Sequence, residues 1–260
     1  MTNTKPTTPP PCCLTGTPHP GTPVGRTGTL SSNRAYITGT NPRAAILLIH
    51  DLLGWTFPNT RLLADHYAQH ASATVFVPDF FDGAALPAAP LLAGPAHWGP
   101  ELDVAGFVAR NAREVREPEV VACARALRAE AGFERVAAVG FCYGGWAVFR
   151  LGAREWGDER LVDCVCAGHP SLLTEADVDG VGVPVQVLAP EVDPAFTAEL
   201  KRYTFGRLME LGVPFDWQHF PGVEHACLVR GDPERVGERE AMVRGRNAAV
   251  AWLRQWLHDE

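Results

Sequence analysis

No apolar run in this sequence approaches the ~20 residues that a bilayer-spanning helix requires, so no membrane span is expected. The opening stretch, Met1-Thr-Asn-Thr-Lys-Pro-Thr-Thr-Pro-Pro, lacks the apolar segment of a secretory signal. No block of Lys and Arg occurs and the formal net charge is −7, so the electrostatic footprint of a nucleic-acid binder is missing. Neither an internal repeat nor a linker interrupts the chain. Cysteines number seven, an odd count without regular spacing. That speaks against a disulfide framework and for reduced thiols in a cytoplasmic protein. Cys12-Cys13 and His19 lack the two ligand pairs of a structural zinc site. They read as small buried groups or solvent-facing thiols, and no metal is expected there.

What is present suits one sizeable core: 260 residues, 46% apolar and 20% charged. Residues 1–30 are rich in Thr, Pro and Gly and are expected as an extended arm. Residues 31–260 are expected as a single α/β domain. Residues 28–37 suit a first hairpin strand. Residues 44–49, Ala-Ala-Ile-Leu-Leu-Ile, are continuously apolar, as a parallel strand buried on both faces must be. Asn59 is expected to N-cap a helix whose apolar face holds Leu62, Leu63 and Tyr67. Residues 74–77 form the next strand. Residues 80–100 have loop composition, with Phe80, Phe81 and Trp98 able to line a pocket. Residues 101–131 are largely helical, with a break expected at Pro118.

Further strands are expected at 161–167, 183–188 and 215–220, the last ended by Pro221-Gly222. Helices are expected at 195–211 and 234–257. On the second, Ala249, Trp252, Leu253, Trp256 and Leu257 form one apolar stripe, read as core packing. Strands alternating with helices imply a mostly parallel central sheet with helices on both faces.

The most informative stretch is Gly140-Phe141-Cys142-Tyr143-Gly144. An apolar strand, 136–139, precedes it and a helix beginning near Trp146 follows. Strand, G-x-C-x-G and helix together are the nucleophile-elbow pattern with Cys in place of Ser. A turn this sharp crowds the backbone, which explains the flanking glycines. It also aims helical N–H groups at negative charge forming on the thiol.

An elbow nucleophile needs a base and a group that orients the base. In the α/β-hydrolases that carry such an elbow the chain order is nucleophile, acid, His; on that order the acid belongs just past the next-but-one strand, where Asp193 is the best candidate and Glu191 its rival. The His belongs in the loop after the last strand, where His225 lies. His219 sits inside the preceding strand and fits less well. His50 and Asp51 follow the first central strand, at the edge where open α/β sheets bind ligands. A solvated loop carboxylate is the plainer alternative for Asp51.

Four segments carry a resemblance: Gly-Phe-Cys142-Tyr-Gly-Gly, His50-Asp51-Leu-Leu-Gly-Trp55, Val77-Pro-Asp-Phe-Phe81 and Glu224-His225-Ala-Cys-Leu-Val-Arg230-Gly. The chain resembles the dienelactone hydrolase family, an α/β-hydrolase fold, and its Cys12-Cys13 arm is similar to that of the fungal-type branch. The resemblance implies a Cys142, Asp193 and His225 triad cleaving an ester or lactone through a thioester, without cofactor. It implies oxyanion donors at the Tyr143 and Leu52 backbone N–H groups. It places Asp51, where bacterial members have Glu, against the resting thiol, and assigns Arg230 to a substrate carboxylate. The implied partner is a small-molecule ester or lactone, the chain acting as monomer or homodimer. Two alternatives stay open: a biosynthetic hydrolase or cyclase of another acyl substrate, and a non-catalytic redox-sensing or binding protein on the same scaffold.

Overall fold

A computed structural model describes Pro9, residues 11–99 and residues 102–258. The first eight residues of the expected arm, Pro10, Pro100, Glu101 and the last two residues lie outside the described residues, as does the side chain of Cys12. The arm enters through a short 3-10 turn, Pro11–Leu14. The hairpin β1 (Arg26–Leu30) and β2 (Asn33–Thr38) follows, then β3 (Ala44–Ile49), α1 (Pro58–His70) and β4 (Thr74–Pro78). Short helices α2 (Ala88–Leu92) and α3 (Val104–Arg110) lead to α4 (Arg113–Ala129). After these come β5 (Arg135–Phe141), α5 (Gly144–Leu151), β6 (Cys164–Gly168), α6 (Glu175–Gly180) and β7 (Val185–Val192). The chain closes with α7 (Ala198–Leu211), β8 (Phe215–Glu224), α8 (Cys227–Arg230) and α9 (Val236–Leu257).

The sheet order is β1-β2-β4-β3-β5-β6-β7-β8. β1 and β2 pair antiparallel with each other and β2 antiparallel with β4; every other pair is parallel. All six residues of β3 are buried, because helices cover both its faces. α1, α8 and α9 pack on one side of the sheet and α4, α5, α6 and α7 on the other. From β3 the chain first steps outward to β4, then crosses back to β5. Loops leaving β3 and β5 therefore part in opposite directions and open a crevice at the carboxyl edge. No helix among the described residues is long and apolar enough to cross a membrane.

Three local expectations differ from the structure. Asn59 does not cap α1. Pro58 occupies the first helical position, where its missing N–H costs nothing, and the preceding Phe57 makes no side-chain cap. Asn59 is left to fasten the arm. Its Nδ2 donates to the carbonyls of Thr17 and Val229, both at 2.9 Å, and its Oδ1 accepts the His19 N–H at 2.8 Å. Pro118 does not end a helix either: it lies within α4, and the break falls at Asn111-Ala112. The carbonyl robbed of its partner is that of exposed Glu114, four residues earlier, which water can serve. Pro221-Gly222 does not stop β8. The strand runs on through a register shift opposite Pro190 and Val192, with Gly222 at φ 71°. β8 is the edge strand, where a proline removes no ladder bond.

The elbow depends on two glycines. A Cβ on Gly140 would lie 2.2 Å from the Gly144 carbonyl oxygen, and one on Gly144 would lie 2.3 Å from that of Ile49. Both obstacles are backbone and cannot swing away. Gly140→Ala is therefore expected to destabilise the protein by at least the ~1–3 kcal/mol typical of overpacking, read as a lowered urea midpoint. An unchanged midpoint would show that the turn relaxes freely.

Candidate active site

Cys142 stands at φ 50°, in the left-handed region that costs a non-glycine residue about 1–3 kcal/mol. Neighbouring loops hold it there. Its N–H is shared between the Gly168 carbonyl (3.1 Å) and His169 Nδ1 (3.2 Å). Its carbonyl accepts from the N–H of Gly145 (3.0 Å) and of Ser171 (2.8 Å). Gly168 to Ser171 is the loop leaving β6, so the neighbouring strand end clamps the elbow. The N–H groups of Tyr143 and Leu52 donate no other hydrogen bond among the described residues.

β7 and β8 lead into Asp193 and His225. Asp193 follows β7, and its Oδ1 accepts from the N–H of Ala195 and of Phe196, each at 2.9 Å. The same oxygen lies 2.8 Å from His225 Nδ1. His225 is anchored through its own N–H to the Val192 carbonyl at 2.9 Å. With Nδ1 committed to Asp193, Nε2 faces the elbow, and a ring nitrogen of His225 lies within 4.8 Å of Cys142 Sγ. The rivals go elsewhere. Glu191 accepts the Gly222 N–H at 2.7 Å, and His219 is exposed on β8.

Two further groups share this space, and neither was given a role from sequence. Cys13 Sγ, from the arm, lies 3.6 Å from Cys142 Sγ and 3.4 Å from His225 Nε2. Ser171 Oγ lies 3.4 Å from each of Cys142 Sγ and His225 Nε2, and 3.8 Å from Cys13 Sγ. Ser171 and His169 follow a strand's carboxyl end, a signal that could have found them. Nothing local could have brought Cys13 across more than a hundred residues of chain. His19 takes no part: its Nε2–H donates to the Gly231 carbonyl at 2.8 Å.

The electrostatics follow from this crowding. The Cys142 thiol is pushed well below its ordinary value, first by the hydrogen bond with Cys13, against burial, and further by the charges of His225 and Arg230. Burial alone would lower His225. The facing sulfur's charge and the Asp193 hydrogen bond outweigh it and push the imidazole up to about 10. A thiolate facing an imidazolium is the resting pair these directions describe. His169 goes the opposite way, lowered well below its ordinary value by burial and then by the His225 and Arg230 charges, and rests neutral. His50 is likewise lowered by burial. It ties two loops, donating Nδ1–H to the Asp51 carbonyl (2.9 Å) and accepting the Phe80 N–H (3.3 Å).

Asp51 and Arg230 are placed otherwise than expected. The short Asp51 side chain does not touch Cys142 among the described residues. Its Oδ1 accepts the Leu53 N–H at 2.9 Å, and its Oδ2 lies 2.8 Å from Arg230 Nε. That N–H is not aimed at the oxygen, so the contact is an ion pair without an aligned hydrogen bond. Arg230 is only 1% exposed. Its Nη1 and Nη2 donate to the carbonyls of Thr15 (2.6 Å) and Cys13 (3.0 Å). A buried guanidinium needs a counter-charge and acceptors, and Asp51 and the arm supply both. Phe81 is buried edge-on against His50, Phe107 and Tyr143, and half-buried Trp98 donates to the Leu91 carbonyl, so both brace the loop.

The strand order, with an elbow after β5 and polar loops after β7 and β8, defines an α/β-hydrolase. The sequence model of the Dienelactone hydrolase family matches residues 34–257, and the chain belongs to that family. It is 36% identical over 241 residues to the mouse (Mus musculus) carboxymethylenebutenolidase homolog, covering 86% of this chain and 88% of that protein. It is 26% identical over 260 residues to the hydrolase tropI of Talaromyces stipitatus, covering 96% and 97%. The dienelactone hydrolase structure from Anabaena variabilis superposes with a TM-score of 0.64 at 14% identity, covering 90% and 98%, a likeness of fold.

Two outcomes follow. Labelling of Cys142 by iodoacetamide is expected to inflect at a pH well below that of an ordinary thiol, because the reactive thiolate is present above the inflection. Cys13→Ala, which removes a hydrogen-bond partner of that sulfur, is expected to move it upward; an unmoved inflection would remove Cys13 from setting the charge. Arg230→Ala strands Asp51 as a buried unpaired carboxylate and is expected to cost about 3–5 kcal/mol, with faster amide exchange at Thr15 and Thr17. Unchanged stability and exchange would mean that the guanidinium does not hold the arm.

Proposed function

We propose that the protein is a cysteine-dependent hydrolase of small-molecule esters or lactones, with Cys142 as nucleophile, His225 as acid and base, and Asp193 as the orienting carboxylate. Membership of the dienelactone hydrolase family supports the hydrolytic class. The observation that carries the residue assignment is His225, held on Nδ1 by Asp193 at 2.8 Å and turned by that bond toward the elbow sulfur. The Cys142 thiolate adds to the substrate carbonyl and the electron pair moves to the carbonyl oxygen. The N–H groups of Tyr143 and Leu52, which donate to no group among the described residues, receive that oxyanion. As the tetrahedral adduct collapses, the His225 imidazolium gives its proton to the leaving alkoxide and a thioester remains. Neutral His225 then takes a proton from water, the hydroxide adds to the thioester, and the thiolate departs. Asp193 keeps the proton on Nδ1 and steadies the imidazolium in both halves.

In this proposal the arm bears on entry. Cys142 is 1% exposed with Cys13 against it, so substrate reaches the sulfur when the arm yields. A role for Arg230 in holding a substrate carboxylate requires the same displacement, because Cys13 and Thr15 occupy its terminal nitrogens.

The test is hydrolysis of an aryl ester and of an unsaturated lactone acid by the parent, Cys142→Ala and His225→Ala. Each variant is expected to lose at least about a thousandfold in kcat/KM, with the double variant little worse than either single one. Variants as active as the parent would sink the assignment.

A further inference from the structure

We propose that Cys13, Cys142 and His225 form a binding site for a thiophilic divalent cation, Zn2+ above all, which locks the arm over the nucleophile and so inhibits the protein. Binding of the ion rests on donor atoms and their spacing alone; the inhibition rests on the hydrolytic roles proposed above for Cys142 and His225. Three ligand atoms from three distant segments converge within 4.8 Å of one another. The two sulfurs are 3.6 Å apart, and Cys13 Sγ is 3.4 Å from His225 Nε2. A tetrahedral zinc with Zn–S of about 2.3 Å and Zn–N of about 2.0–2.1 Å has S···S and S···N edges of about 3.8 and 3.5 Å. Both edges that start from Cys13 Sγ already stand close to those separations, and Cys142 Sγ and the His225 nitrogen lie within 4.8 Å of each other. Ser171 Oγ, 3.4 Å from Cys142 Sγ and from His225 Nε2 and 3.8 Å from Cys13 Sγ, marks the fourth corner.

The surroundings suit a metal as well as the donors do. A ligating His generally donates its other ring N–H to a carboxylate, which leaves the remaining nitrogen for the ion. Asp193 is in that position at 2.8 Å from Nδ1. The Cys13 backbone is held through its carbonyl by Arg230 Nη2 at 3.0 Å, and the arm is further pinned by the Thr17 N–H to the Arg230 carbonyl at 2.8 Å. A cleft of about 340 Å³ opens beside the site, bounded by the arm at Thr15 and by His225. Its walls carry the carboxylates of Glu224, Asp232 and Glu238 against Arg235 and the buried, paired Arg230.

The arm thiol and the imidazolium each release one proton, the ion joins two thiolates and a neutral imidazole, and the charge on the donor set stays compensated. An ion bound there ties up the nucleophile and the base at once. It also ties the arm to the elbow, which distinguishes this site from a metal resting on a catalytic Cys and His alone.

The test is titration of the metal-free full chain with Co2+, followed by displacement with Zn2+. The expected result is a thiolate-to-cobalt charge-transfer band with intense tetrahedral d–d bands, quenched by Zn2+. Cys13→Ala is expected to halve the charge-transfer intensity. It is also expected to weaken Zn2+ binding by more than the about 10–100-fold that loss of an outer-shell partner costs. Zn2+ is expected to slow amide exchange at Leu14 to Thr17 in the parent but not in Cys142→Ser, a readout that does not depend on the Cys13 variant folding. Absence of the cobalt spectrum, an identical spectrum in Cys13→Ala, or arm exchange indifferent to Zn2+ would overturn the proposal. None of these readouts needs turnover, so a protein inert toward esters would count against the proposed hydrolysis and leave this result legible.

Discussion

A guanidinium with almost no exposed surface must be answered by charge and acceptors on every side, and the site is arranged around that requirement at Arg230. Asp51, leaving β3, supplies the counter-charge. The carbonyls of Thr15 and Cys13 accept one N–H from each terminal nitrogen. One side chain on α8 thereby joins the first central strand's loop to the N-terminal arm. The position of the Cys13 sulfur, and with it the resting state of Cys142, follows from that junction. Asn59 and His19 extend the same seam with hydrogen bonds from α1 and to the Gly231 carbonyl.

Where local rules and the fold agreed, the sequence was readable. The apolar run 44–49 is a central strand because burial on both faces admits nothing polar. The glycines at 140 and 144 announced the elbow because backbone atoms stand where their side chains would be. Asp193 and His225 could be picked out by chain order, and the geometry brings them together at 2.8 Å. Where tertiary contacts outweighed local preference, legibility ended. Asn59 has the chemistry of a cap, but an adjacent proline and an arm in need of anchors gave it other work. Asp51 and Arg230 were assigned separate partners because nothing in their spacing says that burial would pair their charges.

The family and the geometry bear on different questions. The matched residues, 34–257, exclude the whole arm, and the Cys13 sulfur that lies against Cys142 belongs to the arm. Family membership therefore speaks to the sheet, the elbow and the hydrolytic class. How the sulfur is covered and reached is a property of residues 13–19 against α8. Variation among relatives in that segment should alter access without disturbing the elbow.

The irregular end of β8 has a consequence for the sheet as a whole. β8 is paired with β7 on one side only, and no strand among the described residues covers its outer side. Such an edge invites strands from other molecules to extend the sheet. Pro221 cannot donate to an added strand, and Gly222, at φ 71°, turns the following peptide out of register. The same two residues that let β8 run on to deliver His225 therefore make its margin a poor template for edge-to-edge aggregation.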